Sequence, residues 1–343
     1  MARVAVIGGG AFGTAMACAI RRAKHDTVLW AREAEVVAAV NRDAVNSVFL
    51  PGVPLVPGIR ATDDLAVALD GAEFILLVVP AQYLRSVAAQ LLPLLPQGMP
   101  VVSCAKGIER NSCALMPEVV AQTLPAATVA ALSGPSFAKE IAIDLPTGVT
   151  LACADPAVGE RLARAIGSPR FRTCLSADVI GTALCGAMKN VFAIACGIAE
   201  GRRLGEGACA TLIARGLAEM ARLGLAKGAR LQTFLGLCGV GDLSMTCNAA
   251  HSRNTSLGIA IGEGRKWHDI LGERKVVTEG FCSVEAAATL AHRLKLDMPI
   301  TLALEEILVH DADVDQVIGK LMAQPYDFEW DAPSSQTLRP NAG

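Results

Sequence analysis

The chain up to Ser176 alternates short apolar runs with stretches of helical periodicity. Several runs are almost continuously apolar, which is typical of strands that are covered on both faces. Strands that alternate with helices predict an α/β fold with a doubly wound parallel sheet of the Rossmann type. The predicted strands are 3–7, 27–30, 74–79, 100–104, 127–132, 147–153 and 170–174, and the clearest helices between them are 12–24, 33–41 and 81–95.

The pattern changes after Ser176. Residues 177–226 contain no good strand and are rich in Ala, Gly and Leu at helical spacing, and further helical pieces are predicted at 254–262, 282–294 and 300–308. The sequence therefore predicts a dinucleotide-binding α/β domain at 1–178 and an all-helical domain at 179–330. The remaining residues, 331–343, include two prolines and two serines, and we expect them to be disordered.

The composition excludes several classes of protein. The 343 residues are 52% hydrophobic and 19% charged, with a formal net charge of −2, so a largely disordered chain is excluded. This charge balance gives no reason to expect binding to nucleic acid or to an anionic membrane surface. The longest apolar runs, 74–81 and 191–199, fall short of the roughly 18 residues that a membrane span needs, so no transmembrane segment is predicted.

The N-terminal sequence and the cysteines both bear on where the protein is located. No charged segment followed by an apolar one precedes the first strand, so no secretory signal is predicted. The 11 cysteines are scattered without a C-x-x-C pair, which favours free thiols in a reducing cytoplasm. None of the five histidines has a metal-ligand partner three or four residues away, and no metal site is predicted.

A glycine-rich turn follows the first predicted strand and opens the first helix. Residues 8–13 read Gly-Gly-Gly-Ala-Phe-Gly and fit the pattern G-x-G-x-x-G. In this pattern Gly8 permits a tight turn, Gly10 lets a pyrophosphate approach the backbone, and Gly13 lets helix and strand pack closely. The N–H groups at the start of the helix would bind the phosphates. The alternative is a structural turn that binds no ligand.

The end of the second predicted strand bears on which dinucleotide is bound. No acidic residue stands at the strand tip, where NAD-specific folds place one, and Arg32 follows immediately. A cation there can pair with a 2′-phosphate, which favours NADP as cofactor. Glu33 keeps NAD open, and Arg32 as a solvated surface cation is the structural alternative.

Two lysines lie in apolar surroundings. Lys106 follows a predicted strand, at the sheet edge where open α/β folds bind ligands, and Lys189 lies within a strongly apolar predicted helix. Each is either a side chain that reaches out to solvent or a functional group. If both line one cleft, burial and mutual repulsion lower their pKa values and make proton transfer near neutral pH possible.

A polar cluster follows in the second half. Gly239 and Gly241 precede Asp242 and indicate a tight turn that aims its side chain, and Arg253 stands between Ser252 and Asn254. The planar guanidinium of an arginine can clamp a phosphate or a carboxylate. The structural alternative is a loop with a helix N-cap at Ser252 or Asn254, in which His251 has no catalytic role.

Taken together, these blocks resemble a known family. The segments GGGAFGTAMA, SCAKGIE, LSGPSFAKEIA, GAMKNVFAIACGI, GVGDLSMTC, HSRN and VVTEG run from Gly8 to Gly280 in the order found in bacterial-type NAD(P)-dependent sn-glycerol-3-phosphate dehydrogenases. The resemblance implies a Rossmann-type domain followed by a helical domain. It also implies reversible reduction of dihydroxyacetone phosphate by NAD(P)H to sn-glycerol 3-phosphate, which feeds glycerophospholipid synthesis, in a cytoplasmic homodimer.

The resemblance also assigns roles to individual residues. Lys189 would be the general acid/base, Lys106 and Asn190 would position substrate and stabilise the developing alkoxide, and Asp242 and Thr246 would orient the substrate or the catalytic lysine. The implied substrate residues are Lys106, Gly134, Ser136, Lys189, Asp242, Ser252, Arg253 and Asn254. The implied cofactor residues are Gly8, Gly10, Ala11, Phe12, Gly13, Arg32, Lys106, Ala138, Arg253, Val277 and Glu279.

This chain departs from the family's pattern in two places. The family often has Ser or Asn followed by Trp where this chain has Ala11 and Phe12, so a side-chain hydrogen bond at position 11 is lost. Val277 and Glu279 are separated by one residue more than in some members, so the family motif matches Glu279 more closely than Val277.

Two other functions fit parts of the pattern. A β-hydroxyacid dehydrogenase or ketopantoate-type reductase would act on a carboxylate with a similar helix-borne lysine, but the GPSFA block and the GDL and SRN segments argue against it. A non-enzymatic NADPH-binding regulator would need no proton donor, so the presence of both Lys106 and Lys189 argues against that function.

Overall fold

A computed structural model describes residues 1–250, 252–273 and 278–323. The predictions for Val277, for His251 and for the tail 331–343 lie outside the described residues. Within the described ranges, strands are found up to Ser176, and the chain from Val179 onward is helical.

One eight-stranded sheet dominates the first half, with the strand order β10-β9-β8-β7-β6-β1-β2-β5. The strands pair in parallel except at the step from β8 to β9, which is antiparallel. A separate antiparallel pair, β3 and β4, stands beside it. The strands are β1 (Arg3–Ile7), β2 (Asp26–Trp30), β3 (Val45–Asn46), β4 (Leu50–Pro54), β5 (Ile59–Thr62), β6 (Phe74–Leu77), β7 (Pro100–Ser103), β8 (Thr128–Ser133), β9 (Thr147–Cys153) and β10 (Phe171–Ser176).

Helices cover both faces of this sheet, so the predicted doubly wound fold is confirmed. One buried core joins the sheet to α1, α2, α6 and α7, and a second core joins the opposite face to α3, α4 and α5. The helices are α1 (Ala11–Arg22), α2 (Ala34–Asp43), α3 (Leu65–Leu69), α4 (Ala81–Leu91), α5 (Met116–Thr123), α6 (Ala138–Ala142) and α7 (Pro156–Ile166).

Two features of the sheet differ from the prediction. The antiparallel step between β8 and β9 was not expected, because β9 is almost wholly buried within the sheet and its apolar run resembles those of the parallel strands. Strands β3, β4 and β5 were also missed. β3 has two residues and β5 has four, while β4 contains two prolines and a glycine, which are depleted in strands.

The second half packs around one long central helix, α8. Its apolar sequence passes the length and composition test for a membrane span, but 83% of that apolar window is buried inside the protein, as in a core helix. A turn of π-helix, Leu237–Gly241, leads directly into α11. The helices are α8 (Val179–Gly201), α9 (Glu206–Ala226), α10 (Leu231–Phe234), α11 (Asp242–Cys247), α12 (Arg253–Gly262), α13 (Trp267–Glu273), α14 (Glu279–Leu294), α15 (Pro299–Leu308) and α16 (Val314–Met322).

Small residues let α8 and α12 approach closely. A Cβ atom added at Gly197 would lie 2.2 Å from the carbonyl oxygen of Thr255, and one added at Gly258 would lie 2.1 Å from the carbonyl oxygen of Ile194. This close crossing fixes the start of α12, with Arg253 and Asn254, relative to the middle of α8, with Lys189.

Candidate active site

The glycine turn after β1 has the geometry of a phosphate cradle. Gly8 has φ +133°, and a Cβ there would lie 2.7 Å from the carbonyl oxygen of Val78, while a Cβ at Gly13 would lie 1.8 Å from the carbonyl oxygen of Gly8. A Cβ at Gly10, by contrast, would meet nothing within 4 Å. The backbone is therefore open at Gly10, next to the uncapped start of α1, and this concavity fits the pyrophosphate of a dinucleotide.

The turn lies at the point where the strand order reverses. Strand β1 pairs with β2 on one side and with β6 on the other, and the segments that follow these parallel strands share one edge of the sheet. Lys106 follows β7 at this edge, and its Nζ lies 5.7 Å from the centre of the Phe12 ring in the first turn of α1. The structure thus brings the glycine turn and Lys106 together.

Arg32 follows β2 at the same edge but does not join Lys106. Its side chain is 76% exposed, and its Nη2 lies 2.9 Å from Oε1 of Glu33. The guanidinium is accessible to a ligand phosphate, and Glu33 is its competing partner. Ala138 begins α6 and packs in the same core as α1, on the sheet face that carries the glycine turn.

A carboxylate between two ammonium groups forms the centre of the site. Asp242 begins α11 and is fully buried, with Oδ2 2.8 Å from Nζ of Lys106 and with Oδ1 hydrogen-bonded to Nζ of Lys189. The Lys189 ammonium also donates to Oγ1 of Thr246 at 3.0 Å, one helical turn after Asp242. The three charged groups come from three separate elements: the segment after β7, helix α8 and helix α11.

The loop after β8 also binds the ammonium group of Lys106. Lys106 Nζ donates to the carbonyl oxygen of Gly134 at 2.9 Å and to Oγ of Ser136 at 3.3 Å. Gly134 has φ +145°, and an added Cβ would lie 2.9 Å from Cα of Val149, so a larger residue does not fit this turn. Backbone shape at Gly134 therefore helps to set the position of the Lys106 ammonium.

The environment of Lys189 suits proton transfer. Burial lowers the pKa of its ammonium group, the carboxylate of Asp242 opposes this shift and the nearby Lys106 adds to it, and the resulting pKa is about 8. An amine with a pKa near 8 is present in both protonation states close to neutral pH. Lys189 can thus give or take a proton without leaving its hydrogen bonds.

A chain of amide side chains links the start of α12 to the Lys106 segment. Asn254 Nδ2 donates to Oδ1 of Asn190 at 2.9 Å, and Asn190 Nδ2 donates to the carbonyl oxygen of Lys106 at 3.1 Å. Ser252 caps α12, because its hydroxyl oxygen accepts a hydrogen bond from the N–H of Thr255. Arg253 is the first residue of this helix. Ser252, Arg253 and Asn254 thus stand at a helix N-terminus, which favours anions.

Glu279 carries a buried acceptor without a partner among the described residues. Its Oε1 accepts from the N–H of Ala81 at 3.1 Å, while its Oε2 is buried and makes no hydrogen bond there. Burial raises the pKa of this carboxyl group, and the N–H of Ala81 and the charge of Arg253 oppose the shift. An orphaned acceptor beside Gly107 fits a ligand that offers an N–H or O–H donor.

Some participants gave no signal in the sequence. The N–H of Ala81 binds a carboxylate 198 positions away, and Thr255 Oγ1 donates to the carbonyl oxygen of Thr246 at 2.9 Å. Both belong to ordinary apolar or helical segments, so only the folded chain reveals them. Among the described residues, no group of three or more His, Cys, Asp and Glu side chains could hold a metal ion.

Known proteins resemble this chain in both sequence and fold. The family model described as the N-terminus of NAD-dependent glycerol-3-phosphate dehydrogenase matches residues 3–159, and the model of its C-terminus matches residues 178–319. A glycerol-3-phosphate dehydrogenase [NAD(P)+] from Parvibaculum lavamentivorans is 50% identical over 95% of this chain and 98% of its own length. One from Rhodospirillum rubrum is 50% identical over 99% of this chain and 97% of its own length.

Solved structures agree with this assignment. The crystal structure of glycerol-3-phosphate dehydrogenase from Coxiella burnetii has a TM-score of 0.90 and 36% identity, over 94% of this chain and 99% of that one. A ketopantoate reductase from Ralstonia eutropha has a TM-score of 0.58 and 17% identity, which shows a shared fold alone. With both family models matched and two relatives half identical over nearly the whole length, the chain belongs to the NAD(P)-dependent glycerol-3-phosphate dehydrogenase family of oxidoreductases.

Proposed function

We propose that this protein reduces dihydroxyacetone phosphate reversibly to sn-glycerol 3-phosphate with NAD(P)H, and that Lys189 is the general acid/base. The observation that carries the proposal is the buried cluster of Lys106, Asp242 and Lys189 at the sheet edge that holds the glycine turn. It puts a proton donor with a pKa near 8 beside a phosphate cradle. The family to which the chain belongs supports the same reaction.

The nicotinamide cofactor supplies the hydride when it is bound. The open backbone at Gly10 and the start of α1 would hold its pyrophosphate, and Glu279 Oε2 would accept a hydrogen bond from the bound ligand. In the reduction, Lys189 gives its Nζ proton to the substrate oxygen that becomes the hydroxyl group. In the oxidation, the neutral amine takes this proton back.

The neighbours of Lys189 keep this proton in place. Asp242 and Thr246 hold its ammonium group by two hydrogen bonds, which fixes the direction of proton transfer. Lys106 supplies a second positive charge that stabilises the alkoxide as it develops, in a site from which water is largely excluded. Asn190 ties the backbone of Lys106 to α8 and so holds the two cations in register.

The phosphate of the substrate would bind at the start of α12. Arg253 offers a planar donor fork, and Ser252 and Asn254 flank it at a helix N-terminus whose dipole favours a negative charge. Asn254 also reaches Asn190, so the phosphate site and the backbone of Lys106 belong to one hydrogen-bonded unit. This arrangement selects a phosphorylated ketone over an unphosphorylated one.

For the cofactor we propose NADP, with NAD also accepted. Arg32 is exposed after β2 and can turn from Glu33 to a 2′-phosphate, and Glu33 can in turn accept from a ribose hydroxyl. We also propose the boundary between a cofactor domain at 1–178 and a catalytic domain at 179–330, which is supported by the end of β10 at Ser176 and the start of α8 at Val179.

Location, direction and assembly complete the proposal. All 11 cysteines are free thiols, which supports a reducing, cytoplasmic location. We propose net synthesis of sn-glycerol 3-phosphate for phospholipids by a homodimer, a direction that the family resemblance supports.

A steady-state assay tests the reaction directly. We expect oxidation of NADPH, and more slowly of NADH, when dihydroxyacetone phosphate is added, and no comparable rate with dihydroxyacetone or with 2-keto acids such as ketopantoate. A higher kcat/KM for a 2-keto acid than for dihydroxyacetone phosphate would replace the proposal by the carboxylate alternative. Binding of NADPH without turnover of any ketone would support the regulator instead.

A further inference from the structure

One buried side chain connects the hairpin of β3 and β4 to the glycine turn after β1. Asn46, in β3, is fully buried, and its Nδ2 donates to the carbonyl oxygen of Gly9 at 2.8 Å. The same Nδ2 donates to Oγ1 of the buried Thr14 at 2.8 Å, and this hydroxyl group in turn donates to the Gly9 oxygen at 3.3 Å. The three groups form a closed triangle of hydrogen bonds, to which the proposed function assigns no role.

The hydrogen bonds of Asn46 fix the orientation of its amide group. Its Oδ1 accepts from the N–H of Phe49 at 3.0 Å, in the turn between β3 and β4. The carbonyl oxygen of Gly9 can only accept a hydrogen bond, so the NH₂ group of the amide must face it. Because both ends of the amide are engaged, Asn46 is held between the hairpin and the glycine turn.

The peptide bond between Gly9 and Gly10 carries this constraint to the open side of the turn. In a trans peptide, the carbonyl oxygen and the N–H hydrogen point in opposite directions. The Gly9 oxygen points into the buried triangle, so the N–H of Gly10 points away from it. Gly10 is partly exposed, and a Cβ added there would meet nothing within 4 Å. The N–H is thus directed away from the packed side of the turn, where a phosphate can reach it.

A peptide between two glycines needs such a constraint. Glycine adopts more backbone conformations than any other residue, so the sequence of the turn does not by itself set the direction of this peptide. Ala31, after β2, restricts the space beside Gly9, since a Cβ added there would lie 2.4 Å from Cβ of Ala31. That contact limits the position of Gly9, while the hydrogen bond from Asn46 sets the direction of its carbonyl group.

We propose that Asn46 is a positioning residue for the dinucleotide, because it orients the Gly9–Gly10 peptide so that the N–H of Gly10 faces the pyrophosphate. This inference rests on the proposed function, in which the glycine turn holds a nicotinamide dinucleotide. Asn46 is buried behind the turn and acts through the peptide without touching the ligand. An N–H that is already directed correctly spares the ligand the cost of ordering this peptide on binding.

Binding measurements with two ligands test this role. Asn46→Leu keeps a side chain of similar shape but offers no donor to the Gly9 oxygen. We expect the Kd for NADPH to rise about tenfold or more, because a hydrogen bond to a charged group contributes about that factor. The Kd for adenosine 2′-monophosphate, which has no pyrophosphate, and the KM for dihydroxyacetone phosphate should stay close to the wild-type values. Equal weakening of both nucleotides, or an unchanged Kd for NADPH, would overturn the proposal.

Asn41→Leu is the matched control. The amide of Asn41, in α2, donates to the carbonyl oxygen of Ala61 at 2.9 Å and accepts from its N–H at 2.8 Å, so these hydrogen bonds brace β5 and not the glycine turn. The substitution removes a comparable pair of hydrogen bonds in the same half of the molecule, and we expect the Kd for NADPH to stay near the wild-type value. If it rises as much as in Asn46→Leu, the effect is a general loss of structure and Asn46 has no positioning role.

Substitutions at Thr14 keep the test decisive if Asn46→Leu does not fold. Thr14→Val removes the hydroxyl group that completes the triangle and should raise the Kd for NADPH about threefold, while Thr14→Ser keeps this group and should bind like the wild type. Wild-type affinity in Thr14→Val would contradict the proposal. A wild-type protein that binds NADPH but does not reduce dihydroxyacetone phosphate would overturn the proposed reaction and not the role of Asn46, because the two are measured separately.

Discussion

A lysine in the middle of α8 would ordinarily cost several kcal/mol, because an ammonium group loses its hydration when it is buried. The sequence shows this cost, since Lys189 lies within an otherwise strongly apolar predicted helix. The sequence does not show how this charge is compensated. The counter-charge is Asp242, which lies 53 positions away and contacts Lys189 because the fold brings α11 against α8. The sequence identifies Lys189 as a lysine in apolar surroundings, while its partner Asp242 could be assigned only through the resemblance to the family.

The pKa of Lys189 leads to a prediction about pH. Because Lys189 must be protonated to give its proton, kcat for ketone reduction should fall about tenfold per unit of pH above about 8. The oxidation needs the neutral amine, so its kcat should rise up to about pH 8 and then level off. Steady-state rates from pH 6.5 to 9.5 in both directions check this expectation.

A substitution separates the proton step from binding. Lys189→Ala should lower kcat by orders of magnitude while the dissociation constant for NADPH, measured by fluorescence titration, stays within a few-fold of the wild type. Lys227→Ala is a matched control, since that lysine pairs with Glu118 away from the cluster. Comparable turnover in Lys189→Ala, or the same pH profiles in both directions, would remove Lys189 from the proton-transfer role.

Arg253 leads to a prediction about the phosphate. Arg253→Ala should raise the KM for dihydroxyacetone phosphate at least tenfold, because a charge-assisted hydrogen bond to phosphate is lost, and should change the reduction of unphosphorylated dihydroxyacetone far less. The ratio of kcat/KM for the two ketones is the measurement. Arg222→Ala, on α9, is the control. An equal loss with both ketones would place the phosphate elsewhere.

At the scale of elements, the sequence predicted best where one periodicity runs over a whole strand or helix. The seven predicted strands and the change to helices after Ser176 all follow from such runs. Strands β3, β4 and β5 were missed because they are short and show no periodicity of their own in the sequence. Pairing with neighbouring strands defines them, and that pairing is visible only in the fold. The π-helical turn before Asp242 was likewise not predicted, although the glycines around it marked a tight turn.

The crossing of α8 and α12 leads to a prediction about stability. Gly258→Ala should lower the free energy of unfolding by about 1–3 kcal/mol or more, because the new Cβ would collide with backbone atoms of α8 that cannot move alone. Denaturant unfolding followed by circular dichroism measures the change. Gly319→Ala is the control, since an added Cβ in exposed α16 meets nothing within 4 Å and should stabilise by up to about 1 kcal/mol. Equal effects of both substitutions would contradict the packing argument.

At the scale of the whole molecule, the charged cluster joins residues of the α/β half to residues of the helical half. Lys106 belongs to the α/β half, and Lys189 and Asp242 belong to the helical half. The sheet has two hydrophobic cores, and the core of the helical half also takes in Ile108, Cys113 and Leu115 from the α/β half. Apolar burial explains why each half folds. The ion pair between Lys106 and Asp242 and the amide chain through Asn190 contribute to their relative placement, because both cross from one half to the other.

Removing the shared carboxylate should therefore affect the whole molecule. Asp242→Asn leaves the buried ammonium group of Lys189 and the partly buried one of Lys106 without a counter-charge, and we expect it to lower the free energy of unfolding by about 3–5 kcal/mol at pH 7. The loss should be smaller at pH 9.5, because Lys189 is then already neutral in the folded state, with a pKa of about 8 that falls further without Asp242. Urea unfolding at both pH values measures the difference.

Two further variants give this expectation its controls. Asp315→Asn removes an exposed carboxylate that pairs with Arg202, so it should cost under about 1 kcal/mol at either pH. Adding Lys106→Met to Asp242→Asn removes one of the two stranded charges and should recover part of the lost stability. If Asp242→Asn cost no more than Asp315→Asn, or if its cost grew as the pH rose, the two halves would not be held together by this carboxylate.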